Sequence, residues 1–396
     1  MNFKRWINVS LINFFIVSLL GLIMRYKIAF DFPYLDQKFL QHAHSHFAFI
    51  AWISQSLYLL LIYYLHKTES NINFKKYNNI LIINTIASYC MMIAFMFKGY
   101  HFSSIFFTNI LVVLSVVFSV YFYKDTKNNS TTKYINRWFY AAFLFNIISN
   151  IGTFSLAYMM ISNQYNQKIQ LASVYFYLHF QYNAWFLLTC IGMFLFHFKN
   201  QLSIKIQNWL FYIFTFCTIP NYFLSILFYK LPPALFVIVV ITSLSQLIIF
   251  LIAAKQFKNK NQNKYFSLMF KLIITAFIFK LVLQVGSTIP YISHLAYSLR
   301  SIVIAYLHLA LLVIISGFII FLLYDFILKF YSKYVYILFA LILINELLLG
   351  LQGFSGIFYI HIKSLVYLLF VISALISLVI IKLILEKKPN MTEVIN

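Results

Sequence analysis

Apolar residues in this chain come in unbroken runs of roughly 20, separated by short polar stretches. A run of that length, wound as a helix, crosses a hydrocarbon layer about 30 Å thick. Twelve such runs fall near 8–24, 43–65, 79–97, 102–123, 138–161, 174–197, 208–228, 233–254, 268–289, 300–323, 334–351 and 364–385. A membrane β-barrel would instead show pieces of about ten residues alternating between apolar and polar. The pattern therefore predicts an all-α, polytopic bundle of about 12 transmembrane helices. The longest polar connections, 66–78, 124–137 and 255–267, have ordinary loop length, so residues 1–396 read as a single transmembrane helical domain. No half of the chain echoes the other by eye, and no internal repeat is expected.

Composition supports the same class. Apolar residues make up 63% of the chain and charged residues only 10%, against about a quarter charged in soluble domains. Cys90, Cys190 and Cys217 each lie alone inside a run, where a cysteine acts as a small apolar residue. The first run follows Lys4 and Arg5 but has no small-residue cleavage site after it, and it reads as a retained first helix.

The net charge of +22 raises the question of nucleic acid. Its distribution answers against it, because the cations are dispersed over many short loops with no clustered basic face. They also fall mainly on one side of the bundle, from Lys4 and Arg5 through Lys75, Lys76, Lys124, Lys133 and Arg137 to Lys382. By the positive-inside rule this places both termini in the cytoplasm, in a multi-pass protein of the cell inner membrane. The expected partner of the cations is anionic lipid.

Candidate chemistry is confined to a few polar residues inside the runs, where an ionisable group is a functional hypothesis by default. His42, His44 and His46 open the second run, His179 lies in the sixth and His308 in the tenth. With both termini inside, all three places lie in the outer half of the bilayer. Imidazole ligates haem iron and copper, and facing helices of a bundle can supply such ligands. His42 lies at the membrane boundary, where an interfacial position accounts for it better than ligation, and His44, His46, His179 and His308 are the candidates. His66, His101, His197, His294 and His361 sit at run ends, where water and headgroups satisfy them. Other polar residues in the runs are Tyr182, Asn183, Asn221, Lys280, Gln284, Asn345 and Glu346, and a Lys280–Glu346 pair is conceivable.

Twelve spans, the stretch Ala-His-Ser-His-Phe-Ala-Phe-Ile-Ala-Trp from Ala43 to Trp52, His179 in span six and His308 in span ten resemble subunit I of the haem-copper oxidases. The resemblance in topology covers nearly the whole chain, while the motif is local. It implies that His46 or His44, with His308, ligates a b-type haem, and that His179 matches the copper histidine of span six. The remainder of the family's pattern is missing. Span six reads His179-Phe-Gln-Tyr182-Asn183-Ala-Trp185 without the family's proline and acid, span seven has Pro220-Asn221-Tyr222 in place of a histidine pair, and span ten has one histidine. A copper ligand set is therefore incomplete. The resemblance implies electron transfer, gas binding or residual reductase activity, with an electron-donor protein or quinol as partner. A nitric-oxide-response type of haem and copper protein is a related resemblance, but Ser45 stands where it would have an acid.

A different class remains beside this one. A secondary transporter or lipid-handling protein would line its path with Asn183, Asn221, Lys280, Gln284, Asn345 and Glu346. Pro220 and Pro290, expected to interrupt spans seven and nine, and only 9 glycines give it a weak signature. No H-E-x-x-H or carboxylate cluster supports a hydrolase.

Overall fold

The structure is a computed structural model and describes residues 1–30, 32–164, 166–198, 201–257, 264–293, 299–330, 332–360 and 362–386. His294 and His361 lie outside the described residues.

Every regular element among the described residues is helical. In chain order these are α1 (Phe3–Ala29), α2 (Gln37–Thr68), α3 (Phe74–Lys98), α4 (Phe102–Thr126), α5 (Lys133–Ile161), α6 (167–197), α7 (Ile204–Ile226), α8 (Pro233–Gln256), α9 (Lys264–Gly286), α10 (Arg300–Leu328), α11 (Lys333–Ile357) and α12 (Lys363–Leu385). Among the described residues, 11 helices are long and apolar enough to cross a membrane. The helix that falls short is α6, because His179, Gln181 and Asn183 dilute its apolar character. The chain is a multi-pass membrane protein. Pro290, expected to interrupt a span, lies beyond the end of α9.

Helix ends follow local chemistry. Asp36 caps α2 by accepting from the Lys38 and Phe39 amides, and Asn166 does the same for α6 from Lys168 and Ile169. His101 caps α4 in a reciprocal box with Ser104, which gives that histidine a structural task. His66 sits in an aromatic cluster with Phe3, Tyr63 and Phe74.

Two compact units divide the chain. One comprises Met1–Asn129 and Ser316–Asn396, the other Ser130–Ile315. Within the first, α1 packs on α12 and α2, α11 on α12, and α3 on α2 and α4. Within the second, α5 packs on α6, α7 on α8, and α8 on α9. The α5–α6 contact is close because Gly152 has no side chain. A Cβ there would lie 2.4 Å from the Ser173 carbonyl oxygen.

Most helices leave one flank apolar and exposed, as Ile86, Phe97, Phe216, Ile241 and Leu347 show, which suits contact with lipid rather than water. Two helices differ. The apolar window of α2 is 89% buried and that of α10 is 78% buried, against 22–44% in the other spans. Residues 179–190 of α6 are likewise buried throughout. Of the candidate histidines only His179 lies inside an enclosed stretch; His44, His46 and His308 lie just before the enclosed windows of α2 and α10 and are themselves partly exposed.

Candidate functional site

The same three helices share a second property. Each changes from α to π winding just after its histidine, over Ala48–Ser54 in α2, Gln181–Phe186 in α6 and Leu309–Ser316 in α10. A π turn inserts a residue and breaks the ordinary carbonyl pairing, and such turns concentrate at functional sites. Aligned on these turns, His46-Phe47-Ala48-Phe49-Ile50-Ala51-Trp52 matches His179-Phe180-Gln181-Tyr182-Asn183-Ala184-Trp185 at His, Phe, Ala and Trp, with an aromatic residue at the fourth position of both. Both tryptophans are fully buried. This likeness is confined to seven residues and is not evident by eye along the chain. Position-by-position comparison of the histidine-bearing runs would have revealed it.

In the first unit, the π turn of α2 is satisfied from outside. Asn13 donates to the Ala51 carbonyl at 2.7 Å and accepts from the Tyr89 hydroxyl, while Trp52 stacks on Phe14 and donates to the Ser316 hydroxyl at 2.8 Å. His44 approaches α1, its Nδ1 lying 3.1 Å from the Val17 carbonyl oxygen. A carbonyl only accepts, so Nδ1 carries the proton. His46 points elsewhere. Its ring stacks on Phe95 at 4.5 Å and its Nε2 lies 3.2 Å from the Tyr100 hydroxyl.

His308, in the second unit, has its Nδ1 2.9 Å from the Ile304 carbonyl oxygen one turn earlier. It too is therefore protonated on Nδ1, and Nε2 is the basic nitrogen. This is the arrangement by which a second-shell carbonyl orients a ligating imidazole.

The second unit also holds a connected set of buried polar side chains. His179 donates through Nε2 to the Thr218 carbonyl at 2.8 Å, and its Nδ1 accepts from the Asn183 amide at 3.1 Å. Asn183 Oδ1 accepts from the Lys280 ammonium at 2.6 Å, and Gln284 Oε1 accepts from the same ammonium at 2.7 Å. Gln284 and Asn221 both donate to Gln246 Oε1, at 2.9 and 2.8 Å, and Thr242 donates to Asn221 Oδ1. Tyr182 extends the set by packing edge-on against Tyr306.

Local chain chemistry makes the Thr218 contact possible. α7 tightens from α to 3-10 winding at Tyr222, whose amide bonds to Ile219 and Pro220 rather than to Thr218. The Thr218 carbonyl is thereby available to His179. Backbone irregularity at membrane depth survives only where protein encloses it, and Asn221 and Thr218 are both buried.

These contacts test the sequence-based assignments one at a time. His179, Asn183, Asn221, Lys280 and Gln284 come together. Thr218, Thr242 and Gln246 join them without having been singled out, since lone hydroxyls and amides in apolar runs carry no pattern. Lys280 gives its hydrogen bonds to Asn183 and Gln284. Glu346, in α11, has a buried Oε2 with no hydrogen-bond partner among the described residues.

For copper the donor set does not fit. Both ring nitrogens of His179 are engaged, and among the described residues no three His, Cys, Asp or Glu side chains converge to hold a metal ion. His44 and His308 share the Nδ1-protonated tautomer. Comparison with known proteins adds no relative: no family model matches the chain, and no curated protein matches its sequence.

Proposed function

We propose that this chain is a haem-binding membrane protein of oxidase-like build, with His44 of α2 and His308 of α10 each a residue that would ligate b-type haem. The observation that supports this reading is the shared setting of the two histidines. Each lies just before a π turn, at the edge of the enclosed part of its helix, and each has its Nδ1 hydrogen engaged by a main-chain carbonyl. When bound, such a haem supplies one-electron transfer or gas binding. The chain's own part is to orient imidazole through the Val17 and Ile304 carbonyls and to exclude water with Phe14, Trp52 and the apolar residues around them. Of the two histidines that the motif offers in α2, His44 is the better ligand, because His46 turns its Nε2 to Tyr100. The excess of loop lysines on one side supports cytoplasmic termini; the haem reading adds the inner membrane as the location and a quinol or small redox protein as electron donor.

A dithionite-reduced minus air-oxidised spectrum of the purified protein, with iron measured on the same sample, tests this. A b-type α band with stoichiometric iron, lost in His44→Ala and in His308→Ala and kept in His46→Ala, is the expected result. A featureless spectrum from folded protein made with ample haem, or unchanged haem in His308→Ala, refutes it.

One observation favours a second reading. Lys280 is buried at 3% exposure with amide partners and without a carboxylate, and an ionisable group so placed in a membrane marks a substrate or proton path. A secondary transporter or lipid-handling protein would use this polar chain to pass a proton or a small polar solute. Flux in haem-free proteoliposomes that disappears in Lys280→Met supports it.

A further inference from the structure

The third histidine of the α2 cluster is used by neither reading, and it shares its surroundings with His46. His42 and His46 lie one helical turn apart, which sets them on one face with Cβ atoms roughly 5–6 Å apart. Both rings enter the same aromatic niche. His42 lies 4.6 Å from the Tyr100 ring and 6.3 Å from Phe95, while His46 lies 6.1 Å from Tyr100 and 4.5 Å from Phe95.

The niche is built rather than incidental. Tyr100 follows Gly99, which ends α3 at φ +58, in the left-handed region that favours glycine. A Cβ on Gly99 would lie 2.4 Å from the Phe39 ring of α2, so the corner is pressed against the helix that bears the histidines. Tyr100 is thereby held with its hydroxyl on His46 Nε2.

The site is also within reach of ions from water. At 1.5 Å per residue the 32 residues of α2 extend roughly 48 Å, against a hydrocarbon core of about 30 Å. The first turns, which hold His42 and His46, can therefore stand in the headgroup layer. Both histidines are partly exposed and Tyr100 is 48% exposed.

The geometry points to a binding site for one divalent transition-metal ion, Cu²⁺ or Zn²⁺, chelated by His42 and His46. Two imidazoles at this spacing on a helix form a two-point chelate, and a borderline ion suits nitrogen donors. Tyr100 would release His46 Nε2 when the ion enters, with its oxygen or water completing the coordination. The site is independent of the haem reading, since His44 points to α1 from the other side of the helix.

Cu²⁺ and Zn²⁺ titrations of the full-length protein in detergent, followed by calorimetry, test the proposal, with Cu²⁺ electron paramagnetic resonance as a second readout. One ion per chain is expected, with affinity reduced at least about tenfold in His42→Gln and in His46→Gln and unchanged in His101→Gln. The resonance spectrum should show two nitrogen ligands. Equal affinity in the His42→Gln/His46→Gln double variant, or a wild-type spectrum with oxygen ligands only, overturns it. Loss of haem in His42→Gln would bear on the haem assignment instead, and the spectrum described above distinguishes the two.

Discussion

Replacing Asn183 with Leu removes the residue that joins His179 to Lys280, and the structure sets the size of the effect. The Lys280 ammonium loses one of its two hydrogen bonds, the 2.6 Å contact to Asn183 Oδ1. A hydrogen bond to a charged group contributes about 1.5–3 kcal/mol. His179 Nδ1 loses its donor in a site with 3% exposure, and an unsatisfied buried acceptor costs about 1–3 kcal/mol. Together Asn183→Leu should destabilise the protein by about 3–5 kcal/mol. For a unit the size of Ser130–Ile315 that corresponds to a drop of about 6–20 °C in unfolding temperature. A thiol-reactive dye that reports exposure of buried Cys190 provides the assay in detergent. Lys280→Met removes the charge together with its need for partners, and apolar replacement of buried ionic groups is often close to neutral. Once Lys280 is Met, Asn183→Leu should cost less by about 2 kcal/mol, as expected for residues in one network. An Asn183→Leu shift of under about 2 °C, or full additivity with Lys280→Met, would refute the reasoning that these contacts are satisfied and coupled.

Other outcomes follow from single contacts. Gly152→Ala should destabilise the α5–α6 contact by about 1–3 kcal/mol, because its Cβ meets backbone at Ser173 rather than a movable side chain; the same dye assay measures it. Trp52→Phe keeps the stack on Phe14 but loses the donor to Ser316, and should cost about 1 kcal/mol, read as a melting shift several-fold smaller than that of Asn183→Leu. Asp125→Asn should also cost about 1 kcal/mol or less, since its Lys76 partner is partly exposed, and the loss should shrink further in high salt. Chelation of metal by excess EDTA should leave the proposed haem spectrum unchanged while abolishing the copper resonance.

The sequence located the helices well because hydrocarbon demands long apolar runs whatever their neighbours are. Its register was less secure where polarity interrupted the run. Residues His179, Gln181 and Asn183 make α6 the least apolar of the long helices, and their polarity is matched by one another and by partners on α5, α7 and α9. The π turns were not legible either, since nothing in Ala48–Ser54 or Leu309–Ser316 departs from an ordinary apolar helix.

What the chain determined by itself is therefore its class and its inventory: a helical membrane protein with histidines in α2, α6 and α10 and one deep lysine. Tertiary structure decided which of these meet. Lys280 and Asn183 are 97 positions apart, and Trp52 and Ser316 are 264 apart. No local period encodes such pairings, because an almost wholly apolar helix does not announce which face it will bury. Only packing chose His44 for α1 and His46 for Tyr100, and set Lys280 against amides. The physical reason is that lipid rewards every apolar face alike, so hydrogen bonds among the few polar groups select the arrangement.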